Sequence, residues 1–272
     1  IGLILLVTFA SAQNLPSSVA LLSQGVALGV TITIGMYFVR QCLARGNASQ
    51  PIEYHTRLWL HTGVAMLANF GASVLINQTD TLMIGTLHGP ADAGVYATAS
   101  RLALLSLFGM ESIQTFAGPM IAQLYADKRY GRLQQLLSWS TIGGILLALP
   151  VLLILIVWGE HVLGYFGLHF VRGYPALAIL CVAQFVNIAT GMTGLVMNMT
   201  GHHRQLAGII LCAAVGNLLL SAVLIPIYGI VGAACATTIS SCGWNLAAVW
   251  FIRANLRLNL LAWRPTSSCE IS

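Results

Sequence analysis

Charge is what this sequence has least of. Asp, Glu, Lys and Arg make up 7% of its 272 residues, against roughly 25% in ordinary soluble domains. A water-soluble globule is therefore excluded. Enzyme signatures are missing as well: no HExxH, no Gly-rich phosphate loop and no Ser, His and Asp set marks a catalytic centre. The six cysteines (Cys42, Cys181, Cys212, Cys235, Cys242 and Cys269) include no CxxC pair and do not cluster with histidine. They read as small buried residues, so neither a disulfide framework nor a metal site is expected.

What is present is hydrocarbon. Hydrophobic residues reach 57% and the mean hydropathy is +0.83. The apolar runs are long and lack the strict alternation of barrel strands, which points to membrane-crossing helices. The expected fold class is all-α, integral membrane, a polytopic helical bundle. Complete spans are predicted over Ser17–Val39, Thr62–Leu87, Gly94–Gly118, Ser138–Trp158, Tyr174–Thr200, Leu206–Ile225 and Gly229–Ile252. Ile1–Ala10 is apolar but too short to cross, and the first residue is not Met, so the sequence reads as starting inside a helix. That makes one partial plus seven complete transmembrane helices.

The net charge of +5 is spread over the ends of these spans. Ten of the twelve Lys and Arg (Arg40, Arg45, Arg57, Lys128, Arg129, Arg132, Arg204, Arg253, Arg257 and Arg264) fall on one side. By the positive-inside rule that side is cytoplasmic, and so is the C-terminus. Nucleic acid is not an expected partner. Tyr125–Leu137 reads as a short amphipathic helix lying in the interface. Pro150, after Gly143 and Gly144, predicts a kink in its span. Gly208, Cys212 and Gly216, then Gly232, Ala236 and Ser240, are small residues at four-residue spacing that permit close helix packing. Asn187, Thr190 and Asn198 predict interhelical hydrogen bonds.

Polar side chains inside the spans are the candidates for function. At about 100° per residue Asn69, Ser73, Asn77 and Asp80 fall within about 80° of one another, a polar stripe on an apolar rod. Asp80 is a candidate for a coupling cation or proton, for pairing with Arg101 on the next helix, or for a static buried contact. Arg101 suits a diphosphate held bidentately, or an interfacial position reached by snorkelling. The topology puts Asp80 and Arg101 near the same outer mouth and leaves Glu111 as the deeper ion-site candidate. His202, His203 and Arg204 make a poor metal site and read as a solvated turn.

One stretch is more specific. Asn217-Leu-Leu-Leu-Ser-Ala-Val-Leu-Ile-Pro-Ile-Tyr-Gly-Ile-Val-Gly-Ala-Ala-Cys-Ala-Thr237, followed by Ser240, resembles the hairpin near the C-terminus of polysaccharide biosynthesis flippases. Physically it is a helix, a tight turn at Pro226 and Gly229, and a second helix of small residues. Asp80-Thr-Leu-Met-Ile-Gly85 with Gly94-Val-Tyr96, and Thr200-Gly-His-His-Arg204, are similar to two further stretches of that family. These are members of the multidrug/oligosaccharidyl-lipid/polysaccharide exporter superfamily, in which two six-helix lobes enclose a central cavity and alternate between inward- and outward-facing states.

The resemblance implies that 58–254 is a second lobe, 46–57 a cytoplasmic connector, 1–45 the last helices of a truncated first lobe and 255–272 a cytoplasmic tail. It implies a multi-pass protein of the cell inner membrane that moves polyprenyl-diphosphate-linked oligosaccharide, with Arg101, Asn77 and Asp80 binding substrate and Asp80 or Glu111 binding a coupling ion. Expected partners are the lipid-linked oligosaccharide, membrane lipid and other polysaccharide export or polymerisation proteins, with no cofactor. Two alternatives stay open: a cation-coupled multidrug or toxin exporter of the same superfamily, and a non-transporting truncated scaffold. A membrane glycosyltransferase or ligase is disfavoured by the short outer loops and the lack of a carboxylate cluster.

Overall fold

A backbone inside a lipid bilayer must satisfy its own hydrogen bonds, and helices do so within a single segment. Helix is accordingly the only regular structure among the described residues. The structure, a computed structural model, describes residues 17–45, 78–256 and the single positions 60, 63, 64, 67 and 71. Asn69, Ser73 and Asn77, and the tail beyond Leu256, lie outside the described residues.

The chain divides into two units, Ile1–His55 and Thr56–Ser272. The described element of the first is α1 (Ser17–Arg45). The second begins, in its described part, with α2 (residues 78–87). It continues through α3 (Pro90–Leu104), a 3-10 turn (Leu105–Leu107), α4 (Phe108–Ala126), α5 (Tyr130–Val157) and the short α6 (Gly159–Gly164). A second 3-10 segment (Leu168–Gly173), α7 (Tyr174–Ala189), α8 (Thr193–Met199) and α9 (His203–Leu256) complete it. Among the described residues four helical stretches are long and apolar enough to cross a membrane: Pro90–Ala126, Tyr130–Val157, Leu168–Ala189 and His203–Leu256.

The last of these is two arms. Gly229 has φ 56 and ψ −130, a backbone conformation that costs a residue with a Cβ dearly. Ser221 and Thr237 lie on either side of it, yet both hydrogen-bond to the carboxylate of Asp80. On a straight helix sixteen residues span about 24 Å, so the chain must turn back. Gly232 makes the return possible, because a Cβ there would run into the backbone carbonyl of Leu224. The hairpin expected from Pro226 and Gly229 is thus present, and Gly232 and Ala236 are buried in its seam.

The other small-residue stripe behaves differently. Cys212 is exposed, and among the described residues nothing lies within 4 Å of a Cβ built on Gly208 or Gly216. These positions line an open groove between the two arms of α9 instead of a packed seam. The close approach falls to α4 and α5. There a Cβ on Gly109 would sit 2.7 Å from Leu147 Cβ, and one on Gly144 2.6 Å from Met110 Sδ.

One further expectation changes. Tyr125–Leu137 is not a separate interfacial helix. It is the end of α4, a turn in which Lys128 has φ 56, and the start of α5. Pro150 lies inside α5, which stays helical from Tyr130 to Val157, so a bend there is made without a break in the helix.

Two apolar clusters fill the second unit. Ile121, Leu133, Leu206 and Ile252 belong to one, which places the turn carrying Lys128 and Arg129, the α8–α9 turn before Arg204 and the end of α9 with Arg253 together. Ile84, Leu163, Ile225 and Ala233 belong to the other, near His88 and the Gly229 turn.

Candidate functional site

Asp80 is 1% exposed on α2, and its carboxylate has four donors. Oδ1 accepts from Asn217 Nδ2 at 3.1 Å and Ser221 Oγ at 2.6 Å. Oδ2 accepts from Tyr96 OH at 3.2 Å and from Thr237 Oγ1. Tyr96 OH and Thr237 Oγ1 are themselves 3.0 Å apart. The donors come from α3 and from both arms of α9, so one carboxylate ties three helical segments to its own. Four donors match the acceptor capacity of an ionised carboxylate, and hydrogen bonds to a charged acceptor are the stronger kind.

Each donor follows from local sequence. Asn217 and Ser221 are one turn apart and share a face of the first arm. Thr237 faces them because Gly229 reverses the chain. Tyr96 follows the Gly89 turn, after Pro90 has started α3 with its fixed φ.

Arg101 is not among these partners. It lies five residues after Tyr96, about 140° further round α3, and its side chain is exposed. The structure therefore does not bring Asp80 and Arg101 together. It brings Arg101 and Glu111 onto one groove of about 390 Å³, walled by Leu104, Leu105, Leu107 and Phe108. Ten α-helical steps put Glu111 about 80° from Arg101, but three steps of about 120° through the 3-10 turn cut this to about 20°. The two charged groups end in line, about 15 Å apart along the axis. Asn77 lies outside the described residues.

A second polar knot was only half visible in the sequence. Asn245, 1% exposed, accepts from Thr190 Oγ1 at 2.9 Å and Thr193 Oγ1 at 3.4 Å, and donates to Asn187 Oδ1 at 3.2 Å. Asn187 and Thr190 thus make the expected interhelical contacts, whereas the buried Asn198 Oδ1 finds no partner among the described residues. His202 Nδ1 lies 3.1 Å from Thr200 Oγ1 and its ring packs on Phe251 at 5.5 Å, so it belongs to the turn before α9. Among the described residues no three His, Cys, Asp or Glu side chains gather as a metal site would require.

A helical bundle with four stretches long and apolar enough to cross a membrane, one carboxylate held in its interior and an Arg and a Glu exposed along one of those stretches, is built as a polytopic membrane protein. The chain belongs to the polysaccharide biosynthesis protein family, whose sequence model matches residues 1–167. That match takes in Asp80, Arg101 and Glu111 and stops short of the α9 hairpin. A curated relative is the probable low-salt glycan biosynthesis flippase Agl15 of Haloferax volcanii. It is 27% identical over 165 residues, which cover 59% of this chain and 34% of the relative. The chain thus matches about a third of that protein's length. No solved structure matches.

Proposed function

We propose that this chain is part of a flippase that carries a polyprenyl-diphosphate-linked oligosaccharide from the cytoplasmic to the outer leaflet of the inner membrane. Residues 58–254 act as the second lobe of a two-lobe transporter, with one partial and seven complete spans in the whole chain and the C-terminus inside. The lobes rock to open a central path alternately to each side. The likeness to a probable glycan biosynthesis flippase of Haloferax volcanii supports the class.

The observation that carries the reading is Arg101. It is exposed on a membrane-crossing stretch, in an apolar-walled groove that it shares with Glu111. A guanidinium at that depth is costly against hydrocarbon and belongs beside water, protein or an anionic ligand. A diphosphate matches its planar fork, and the apolar wall matches a lipid chain. The test is glycan export by the complete transporter. Arg101→Ala is expected to lower export at least about tenfold and Arg101→Lys by less, since an ammonium keeps charge but loses the fork. Unchanged export by Arg101→Ala defeats the diphosphate role.

A second reading, a cation-coupled exporter of drugs or toxins, is favoured by Asp80. A buried carboxylate beside three hydroxyl oxygens offers oxygen ligands to a hard cation and a place for a proton. Drug efflux that depends on Asp80 while glycan export does not would put this reading first.

A further inference from the structure

The segment between α5 and α7 is folded as a fixed bracket with an apolar tip. Gly159 and Leu163 are buried, and Tyr174 OH donates to Ile156 O at 2.7 Å, which clamps its two ends. A Cβ on Gly173 would sit 2.8 Å from Val95 Cγ1, so the bracket also bears on α3 one residue from Tyr96. Its other face is turned outward. Tyr165 is 92% exposed and Leu168 90%, the two most exposed large apolar side chains among the described residues. His169 and Arg172 are exposed beside them, and Trp158 marks the end of α5.

We infer that this bracket is a lipid anchor, with its Tyr165–Leu168 tip inserted at the headgroup–acyl boundary of an anionic phospholipid leaflet. The flanking helices fix its height, because Tyr130–Val157 ends and Leu168–Ala189 begins there as membrane-crossing stretches. Trp and Tyr at such ends lie at headgroup level. The tip joins exposed aromatic and aliphatic side chains to basic ones, the pattern of a segment lying in the interface. Arg172 and His169 complement phosphate, and Glu160 is the acidic side chain of the bracket. The leaflet is the one opposite the Lys128 and Arg129 turn, since α5 joins the two ends. This contact is independent of what the chain carries.

The test is depth-dependent quenching. The 272-residue chain carries the fluorescent amino acid NBD-alanine at position 168, or at 165 as a duplicate, in vesicles of phosphatidylcholine and phosphatidylglycerol. Both positions are so exposed that the label leaves the packing untouched. Nitroxides at the headgroup or on the shallow acyl chain are expected to quench at least about twofold more than one near the acyl terminus. Three results overturn the anchor. Emission like that of a label at Lys128, with no lipid quenching, means the tip is in water. A blue-shifted emission that no lipid nitroxide quenches means a protein or a second copy covers it. Strongest quenching from the acyl terminus means the tip lies in the hydrocarbon.

Discussion

Asp80 and Thr237 are 157 positions apart and share a hydrogen bond. Thr237 Oγ1 also donates to Ala233 O of its own helix at 3.1 Å. The one hydroxyl proton has two acceptors within reach, so when it turns away from Asp80 it still donates to Ala233 O. This decides how Asp80 responds to substitution. In Asp80→Asn the amide nitrogen takes the place of Oδ2, Thr237 gives its proton to Ala233, and Thr237 and Tyr96 oxygens accept from the amide. In Asp80→Leu the donors face a methyl group, and stranding buried donors costs about 1–3 kcal/mol each before they relax. Thermal unfolding in detergent should place Asp80→Asn within about 1 kcal/mol of the parent and Asp80→Leu roughly 3 kcal/mol below it. If the charge has a transport role, Asp80→Asn abolishes transport while the protein stays folded.

The α9 hairpin rests on two glycines for separate reasons. Gly229→Ala must hold φ 56 with a Cβ, which costs about 1–3 kcal/mol. Gly232→Ala drives a Cβ into the carbonyl of Leu224, and since both partners are backbone the arms have to separate. Overpacking of this kind costs about 1–3 kcal/mol. Gly94→Ala is the control. Among the described residues nothing stands within 4 Å of its Cβ, it lies in helix, and it should be neutral or slightly stabilising. Equal melting of all three variants would mean the turn is not held as described.

How much of this could be read in the sequence differs from residue to residue. Gly229 was legible because Pro-x-Tyr-Gly between apolar runs leaves few alternatives to a turn. The importance of Asp80 was legible from the cost of a buried charge. Its partners were not, since Ser221 and Thr237 converge only after the chain reverses, and no period in either arm records the other. The nearest available sign was the pair Asn217 and Ser221 on one face of an otherwise apolar arm, which requires an acceptor opposite. Pairing of Arg101 with Asp80 is one of the options the sequence leaves open, because both lie near the same end of neighbouring helices. Angle decided otherwise, because Tyr96 takes the inward face and Arg101 the outward one. A uniform 100° count puts Glu111 about 80° from Arg101, and the tighter winding of Leu105–Leu107, which the sequence does not announce, brings the two into line.

Asn245 holds α9 against the break between α7 and α8. Its amide accepts from Thr190 and Thr193 and donates to Asn187 and Ser241. Hydrogen bonds between membrane helices average about 0.6 kcal/mol each. Asn245→Ala should therefore cost roughly 2 kcal/mol, and Thr193→Val, which loses only a 3.4 Å contact, well under about 1 kcal/mol. Chemical denaturation in detergent measures both. A Thr193→Val loss as large as that of Asn245→Ala would show that the Thr193 hydroxyl carries more of this knot than a 3.4 Å contact implies.

Arg101 and Glu111 share a groove without touching, and this predicts a particular form of coupling. At about 15 Å an ion pair across water is screened, because the Debye length is about 8 Å at physiological salt. Through a ligand that spans the groove, both groups act on one molecule. In a double-mutant cycle on binding of a polyprenyl diphosphate glycan, Arg101→Ala and Glu111→Ala should depart from additivity by about 0.5 kcal/mol or more. The same cycle on thermal stability without ligand should be additive within about 0.5 kcal/mol, since sites this far apart usually are. Coupling in binding alone assigns both residues to one ligand. Additive effects in both measurements would leave Arg101 and Glu111 as two separate sites that share a wall.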